Sequence, residues 1–284
     1  MAKPSLYERP NEEPSFPFLR RKAHELRCNM LEQAAGKGQG YLGQGFGIAE
    51  FLTALYYHEL NFDPKRPDAE DRDRFYLSTG HYSIALWAVF ADLGIIAKKN
   101  LKTYGADESP LEMSTIAGRV PGVEMTGGSL GHGLGIAVGA ALGQRIRKNP
   151  ARVFVEISDG ELQEGSTWEA ATAAFAFGLD NILAFVDCNG IQADGALVVP
   201  IEPVADKWRA FGWAVLEIDG NSIEQVVGAM HWGRATKGVP KVVIMRTLPG
   251  KGLASLEARE KAHFIHVDDS EWDALRKELE GNYV

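Results

Sequence analysis

Apolar and polar positions along this chain form segments of two kinds. Compact apolar runs, rich in β-branched or aromatic residues, lie at 75–77, 153–157, 182–186, 211–218 and 241–245. Longer stretches, in which apolar residues recur at helical spacing, lie at 19–33, 48–60, after 81, and at 134–144, 161–178, 222–236 and 268–279. The first kind is typical of buried strands and the second of amphipathic helices. Their alternation predicts an α/β fold, a parallel sheet flanked by helices on both faces.

The N-terminal segment differs from the rest of the chain. Residues 1–17 contain four prolines and many charged side chains, which predicts an irregular arm. Residues 18–284 contain no internal repeat and no low-complexity stretch. We therefore expect them to form a single α/β domain.

Composition narrows the possible partners and location. The 284 residues are 45% hydrophobic and 24% charged, which is ordinary for a globular protein. The formal net charge of −8 argues against nucleic acid or an anionic membrane as a partner. The two cysteines, Cys28 and Cys188, favour a reducing compartment. Because no apolar run has transmembrane length and the N-terminus does not resemble a signal peptide, we expect a cytoplasmic location.

Two predicted strands end in similar polar turns. The run at 153–157 is followed by Ser158-Asp159-Gly160, and the run at 182–186 by Asp187-Cys188-Asn189-Gly190. A helical stretch separates the two runs, so the unit is strand–helix–strand and its strands are expected to be parallel neighbours. The carboxyl ends of parallel strands are where open α/β sheets bind ligands. Asp159 and Asn189 are therefore predicted to lie together at the ligand edge.

A magnesium–diphosphate site would use this pair of side chains. Mg²⁺ prefers oxygen ligands, which here would be the Asp159 carboxylate, the Asn189 amide, the Ile191 carbonyl and phosphate oxygens. The helix predicted after Gly160 would point its free N–H groups at the same place. Each fragment alone is more often an ordinary turn, but the two together at this spacing are much more specific.

The order D-G-x-L-x-E-G-x-x-W-E-A, followed by an apolar strand and D-x-N-G-I-x-x-D-G, resembles the thiamine-diphosphate motif of transketolases. The likeness extends from about residue 26 to residue 263. It implies a thiamine-diphosphate-binding fold, with Mg²⁺ or Ca²⁺ held by Asp159, Asn189 and Ile191. Ser158, where the family usually has glycine, and Gly160 would border the diphosphate. Glu164 matches an acid found near the subunit interface of the family.

Three further segments extend the resemblance. The motif R-D-R-F-x-L-S-x-G-H-x-S places His81 where the family has a histidine that contacts the cofactor and the reacting centre, and Tyr82 replaces the usual glycine. His263 is the best match for a second histidine near the diphosphate, with His266 as a competitor. The second glycine-rich loop matches the family positions around the aminopyrimidine ring, which fall on Gly128, Ser129 and Leu130.

The chain also departs from the family pattern at the substrate end. Tyr41 stands where transketolases bring a histidine to the sugar, and a second sugar-contacting histidine is missing at Gly118-Arg119-Val120-Pro121. His132 replaces a usual glutamine, and Lys37 adds a cation. We therefore expect a specialised transketolase, with Lys37, Tyr41 and His132 as candidate contacts of a phosphorylated or otherwise anionic ketose.

The glutamate that activates the cofactor in transketolases belongs to a second, pyrimidine-binding domain, for which no room is expected after His263. The resemblance thus implies the N-terminal subunit of a split transketolase, completed by a separate C-terminal subunit in an α2β2 assembly. Its reaction would move a two-carbon ketol unit from a ketose to an aldose. The alternatives are the α subunit of a 2-oxo-acid dehydrogenase and a non-catalytic cofactor- or partner-binding module. A dinucleotide-binding enzyme is disfavoured because no G-x-G-x-x-G motif opens a helix after a strand.

Overall fold

The computed structural model describes residues 15–193, 195–259 and 261–282. Residues 1–14 of the predicted arm lie outside this range. The strands are β1 Gln39–Gly40, β2 Arg74–Leu77, β3 Val153–Ser158, β4 Ile182–Cys188, β5 Ile191–Gln192, β6 Gly195–Ala196, β7 Ala214–Asp219, β8 Lys241–Arg246 and β9 Ile265–His266. The α-helices are α1 Phe16–Lys37, α2 Leu42–Gly47, α3 Ala49–Ala54, α4 Ser83–Asp92, α5 Gly133–Ile146, α6 Gly165–Ala176, α7 Val204–Ala210, α8 Ile223–Ala235, α9 Ala254–Glu257 and α10 Trp272–Gly281.

Five strands form the main sheet in the order β2-β3-β4-β8-β7, and every neighbouring pair is parallel. The central strands β3 and β4 are buried along their whole length. Strands covered on both faces need apolar side chains in both directions, which explains why their sequences are continuous apolar runs. All five carboxyl ends point to one edge.

Helices cover both faces of this sheet, as the sequence predicted. Side chains such as Phe154 and Phe185 pack on one face against helices α1, α3, α4 and α8. The alternate residues Val155 and Val186 pack on the other face against α5, α6 and α7. The predicted α/β fold class is therefore confirmed.

Several predicted boundaries were wrong. Helix α1 begins at Phe16, inside the predicted arm, with Pro17 in its first turn. The stretch predicted as one helix at 48–60 is α3 followed by a π-helical turn at Leu55–Glu59. The strand predicted from 211 begins at Ala214, and the unpredicted helix α7 precedes it. This short helix forms because it buries Val204, Ala205 and Trp208 against the sheet.

The helix predicted directly after Gly160 begins later. A 3-10 turn covers Gly160–Gln163, and α6 starts at Gly165. The Ser158 hydroxyl accepts a hydrogen bond from the Glu161 amide (3.3 Å), and Leu162 is buried below it. These contacts tighten the turn, so the amino end of α6 lies five residues away from Gly160 rather than beside it.

A two-stranded sheet attaches a C-terminal segment to the glycine-rich loop. Strands β1 and β9 pair antiparallel, with Gln39 opposite His266. Gly43 lies so close to this segment that an added Cβ would be 2.0 Å from the Ala262 carbonyl oxygen. The close approach places His263 beside the loop.

Among the described helices, none is both long enough and apolar enough to span a bilayer.

Candidate active site

Asp159 connects the two polar turns at the carboxyl edge. The parallel register sets Ser158 opposite Asp187, so the turns that follow β3 and β4 are adjacent. Asp159 Oδ1 accepts a hydrogen bond from the Gly160 amide (2.8 Å), and its Oδ2 accepts one from the Gly190 amide (2.7 Å). The sequence-predicted pair of turns is thus joined through a single carboxylate.

Asn189 is oriented by contacts on both ends of its carboxamide. Its Oδ1 accepts a hydrogen bond from the Ile191 amide (3.0 Å). Its Nδ2 donates to Asp187 Oδ2 (2.8 Å) and to the Tyr82 hydroxyl (2.9 Å). The amide oxygen and nitrogen therefore face different surroundings, with the nitrogen turned into the protein.

Burial makes this edge unfavourable for uncompensated negative charge. Asp159 is only 2% exposed, and burial, together with the nearby Asp187 charge, raises its pKa to about 7. Burial also raises the pKa of Asp187, although Thr247, Tyr82 and Asn189 all donate hydrogen bonds to it. A bound cation would stabilise both carboxylates by opposing this shift.

The donor set fits one divalent cation shared with phosphate. No cluster of three His, Cys, Asp or Glu side chains suited to a metal occurs among the described residues. A cation beside Asp159 would therefore take its remaining ligands from the Asn189 amide, main-chain carbonyls, water and ligand oxygens. That mixture suits Mg²⁺, which commonly binds proteins through one or two carboxylates plus phosphates. The residues present are thus compatible with a metal–diphosphate group.

Glu161 ties the second glycine-rich loop to the site. Its Oε1 accepts hydrogen bonds from the Gly131 amide (2.8 Å) and from the Ser78 hydroxyl. Burial raises its pKa to about 7. Ser166 donates to the Gly131 carbonyl (2.9 Å), and an added Cβ at Gly131 would lie 2.7 Å from Glu164 Cβ. The loop at 128–131 is therefore fixed against the turn that carries Asp159.

An aromatic group borders the opposite side of the site. The rings of His81 and His263 stack, with centroids 5.2 Å apart. The Tyr41 ring contacts both, at centroid distances of 5.0 Å and 5.7 Å, and also contacts Phe264 at 4.8 Å. Burial, reinforced by the proximity of His263, lowers the pKa of His81 to about 3. His81 is consequently neutral at physiological pH.

Two cavities lie on either side of the Asp159 turn. One, of about 310 Å³, is bordered by Asp159, Asn189 and Gly190 and by Arg246 and Glu202. The other, of about 380 Å³, lies between the histidines and the β5–β6 hairpin. Its lining includes His81, Tyr82, Gly128, Leu130, Ser158, Gly160, Ile191, Gln192 and His263. The structure thus brings together most of the predicted cofactor residues.

Five predicted residues lie outside both linings. Lys37 donates to the Gly105 carbonyl (2.6 Å) at the end of α1. His132 is exposed just before α5, and Ser129 is exposed on the glycine-rich loop. Glu164 is exposed at the start of α6, beside Gly131. Tyr41 reaches the site through its ring contacts with the two histidines.

A larger cavity than these two lies elsewhere. It measures about 590 Å³ and is bordered by the amino ends of β3, β4 and β8. Three of its charged groups are engaged with one another, since Arg152 pairs with Glu59 and with Asp73 (2.6 Å). We place the candidate site at the carboxyl edge instead, because the polar strand-end turns and both histidines converge there.

Sequence reasoning missed several residues of the site. Tyr82 was recognised only as a bulky replacement, yet its hydroxyl contacts both Asp187 and Asn189. Asp187 had a signal, because it directly follows the apolar run at 182–186 in the sequence. Glu161 had none, because an acid in a turn is normally exposed. Gln192 approaches Gly160, and its Oε1 accepts a hydrogen bond from Gln163 (3.2 Å).

The fold and the site define an α/β protein with polar side chains gathered at the carboxyl edge of a parallel sheet. The family model described as transketolase, thiamine diphosphate binding domain, matches residues 20–283. The chain therefore belongs to the transketolase family.

Some relatives match this chain over nearly their whole length, and others are longer proteins that match it over less than half of their length. The 6-deoxy-6-sulfo-D-fructose transketolase subunit SqwG of a Clostridium species is 37% identical over 92% of this chain and 96% of its own. An apulose-4-phosphate transketolase subunit from Actinobacillus succinogenes is 35% identical over 93% of this chain and 97% of its own. The transketolase structure from Campylobacter jejuni aligns with a TM-score of 0.85 and 28% identity, over 95% of this chain. The aligned region is only 43% of that longer protein.

Proposed function

We propose that this chain is the thiamine-diphosphate-binding subunit of a split transketolase, which transfers a two-carbon ketol unit from a ketose to an aldose. The proposal rests on one observation: the Asp159 carboxylate joins the turns that end β3 and β4, and its neighbours Ser158 and Gly160 line a cavity together with His81 and His263. Family membership supports the cofactor. Thiamine diphosphate, when bound, supplies an electron sink for the two-carbon unit.

Asp159 and Asn189, with the main chain of Ile191, would hold a divalent cation, Mg²⁺ or Ca²⁺, together with the diphosphate. Ser158 and Gly160 line the cavity that also contains His81 and His263, and they would approach the phosphate oxygens. The loop with Gly128, Ser129 and Leu130, fixed by Glu161, would support the pyrimidine end. These residues bind and orient, and their rigid hydrogen bonds keep that geometry before the ligand arrives.

His81 and His263 would act on the reacting carbons by hydrogen bonding and proton transfer. Because burial keeps His81 neutral, its ring can donate from one nitrogen and accept at the other. Tyr41 packs on both imidazoles and limits their rotation. The catalytic histidines are thus held in fixed orientations.

A separate pyrimidine-binding chain would complete the site, in an α2β2 assembly and in the cytoplasm, as expected from the sequence. The support is that relatives matched over nearly their whole length are named subunits. Glu164 is exposed beside the loop at 128–131 and is proposed to face that partner. We propose an anionic ketose as the donor because these relatives are named for a sulfonated and a phosphorylated sugar. Lys37, Tyr41 and His132 remain its proposed contacts.

Gentle purification of the chain from its native cells, followed by mass spectrometry, tests the assembly. A stoichiometric second chain is expected, and the complex should retain thiamine diphosphate when Mg²⁺ is present. Asp159→Ala should abolish this retention, whereas Asp273→Ala, on the exposed surface of α10, should leave it unchanged. Normal retention by Asp159→Ala would show that the proposed metal site is wrong.

Assays of the same complex separate the remaining possibilities. Ketol transfer between sugars is expected, without oxidative decarboxylation of 2-oxo acids. The reverse result would identify the chain as part of a dehydrogenase. If the chain purifies alone and binds no thiamine diphosphate with Mg²⁺, it is instead a binding module without catalysis.

A further inference from the structure

Tyr82 is almost entirely enclosed at the inner side of the candidate site. It ends the 3-10 turn Gly80–Tyr82, and only 1% of its surface is exposed. Its amide donates to the Thr79 carbonyl (2.7 Å), and its ring meets the His81 ring edge-on at 4.7 Å. The side chain therefore has a fixed direction rather than the freedom of a surface tyrosine.

The Tyr82 hydroxyl makes two hydrogen bonds of opposite sense. It donates a hydrogen bond to Asp187 Oδ2 (2.8 Å), and its oxygen accepts one from Asn189 Nδ2 (2.9 Å). Asp187 Oδ2 accepts a second bond from the same Asn189 nitrogen (2.8 Å). The three groups therefore form a small closed ring of hydrogen bonds.

This ring of hydrogen bonds fixes which end of the Asn189 carboxamide faces the cavity that Asn189 shares with Asp159. A flipped amide would place Oδ1 against the Asp187 carboxylate, which offers no proton, and against the Tyr82 hydroxyl, whose proton is already donated to Asp187. It would also turn Nδ2 toward the Ile191 amide, so that two donors would face each other. In the observed orientation, Asn189 Oδ1 accepts a hydrogen bond from the Ile191 amide. This bond uses only one of the two lone pairs of Oδ1. The second lone pair remains available for a cation.

We propose that Tyr82 is a positioning residue, which orients the Asn189 amide oxygen toward the divalent cation by holding the amide nitrogen. The inference rests on the proposed function, because the cation is the one proposed to bind with thiamine diphosphate. It also gives a role to a side chain where the transketolase pattern has glycine. Tyr82 does not touch the substrate in this proposal and acts only through Asn189.

Tyr82→Phe tests this because it keeps the buried ring and removes only the hydroxyl. We would measure binding of Mn²⁺, as the probe cation, by electron paramagnetic resonance with saturating thiamine diphosphate. The full chain would be used together with the partner chain that purifies with it. Loss of one hydrogen bond should weaken Mn²⁺ binding by roughly twofold to tenfold. Tyr56→Phe, in the aromatic cluster of Phe62, Phe75 and Phe90, is the matched control and should bind as wild type.

A double-mutant cycle separates positioning from simple packing. Asn189→Ala should weaken Mn²⁺ binding more than Tyr82→Phe does. Adding Tyr82→Phe to Asn189→Ala should cause no further loss, since the residue through which Tyr82 acts is gone. Additive losses, or an unchanged Mn²⁺ affinity in Tyr82→Phe, would overturn the inference.

A second measurement does not require the cofactor. In nitrogen-15 spectra of the chain, the Asn189 side-chain N–H protons should exchange with water faster in Tyr82→Phe than in wild type. An unchanged exchange rate would also count against the inference. If wild type shows no thiamine-dependent Mn²⁺ binding, the proposed function fails. If wild type binds and Tyr82→Phe is indistinguishable from it, only the role of Tyr82 fails.

Discussion

The imidazole rings of His81 and His263 stack at a centroid distance of 5.2 Å, with their planes inclined by only 28°. Two protonated imidazoles at this distance would repel each other, and burial further disfavours charge on His81. The pair is therefore stable only when at least one ring is neutral. The pKa of His81, lowered to about 3, indicates which ring that is.

We predict that His81 does not titrate between pH 5 and pH 8. Its folded pKa of about 3 lies below the ordinary value of 6.5, so the neutral form persists through this range. Nitrogen-15 chemical shifts of the His81 ring should stay constant as pH is varied. A His81 titration with a midpoint near 6.5, the ordinary pKa of histidine, would contradict the burial of this ring.

Replacing His81 should impair catalysis more than binding. We expect His81→Ala to lower the kcat of ketol transfer by roughly 10²- to 10⁴-fold, the usual effect of removing an acid–base group. Thiamine diphosphate retention with Mg²⁺ should remain, because Asp159 and Asn189 are intact. His266→Ala, outside the cavity lining, is the control and should keep wild-type kcat. Equal activity of His81→Ala and wild type would exclude the proposed role.

The central strands and the Asp159–Asn189 pair could be predicted from the sequence. Strands β3 and β4 are buried on both faces, so their apolar runs were unambiguous. The position of Asp159 and Asn189 follows from strand direction alone, because parallel strands end at one edge. No knowledge of side-chain rotamers was needed for that step.

Other parts depend on tertiary contacts that leave no local pattern. The two-residue strands β1 and β9 are too short to show a period, and they form only because distant parts of the chain meet. Glu161 and Tyr82 are buried, and their side chains form hydrogen bonds with residues distant in sequence, Ser78 and Asp187. Neither burial nor side-chain direction of an isolated polar residue can be inferred from its immediate neighbours.

Gly43 should be intolerant of any side chain, because it contacts the segment that carries His263. A Cβ at this position would lie 2.0 Å from the main-chain oxygen of Ala262, and the Gly43 carbonyl also accepts a bond from the Gly250 amide (2.8 Å). Overpacking of this kind costs about 1–3 kcal/mol. Gly43→Ala should therefore lower the free energy of unfolding in urea and also reduce kcat by displacing His263.

Gly228→Ala is the matched control for Gly43→Ala. Gly228 lies within helix α8, and an added Cβ would meet no atom within 4 Å. Alanine is favoured over glycine there, so the free energy of unfolding should rise by up to about 1 kcal/mol with kcat unchanged. If Gly43→Ala behaves like Gly228→Ala, the close approach to Ala262 is not present in solution.

Glu156 should make stability depend on pH. It is fully buried in β3, where Thr79 donates to its Oε2, and its Oε1 has no hydrogen-bond partner among the described residues. Burial raises its folded pKa well above the ordinary value of 4.5. An acid whose folded pKa is raised contributes stability that is complete below pH 4.5 and is lost as pH rises toward the folded pKa.

Glu156→Gln should remove this dependence, because glutamine resembles the protonated acid in shape and does not ionise. The free energy of unfolding of Glu156→Gln, minus that of wild type, should become more positive between pH 5 and pH 8. The steepest change would be about 1.4 kcal/mol per pH unit. Urea unfolding of both proteins at pH 5 and pH 8 measures this difference in the free energy of unfolding. The part of the difference that is the same at both pH values reports on packing alone. If the difference in free energy of unfolding is the same at pH 5 and at pH 8, Glu156 is already ionised in the folded protein at pH 5.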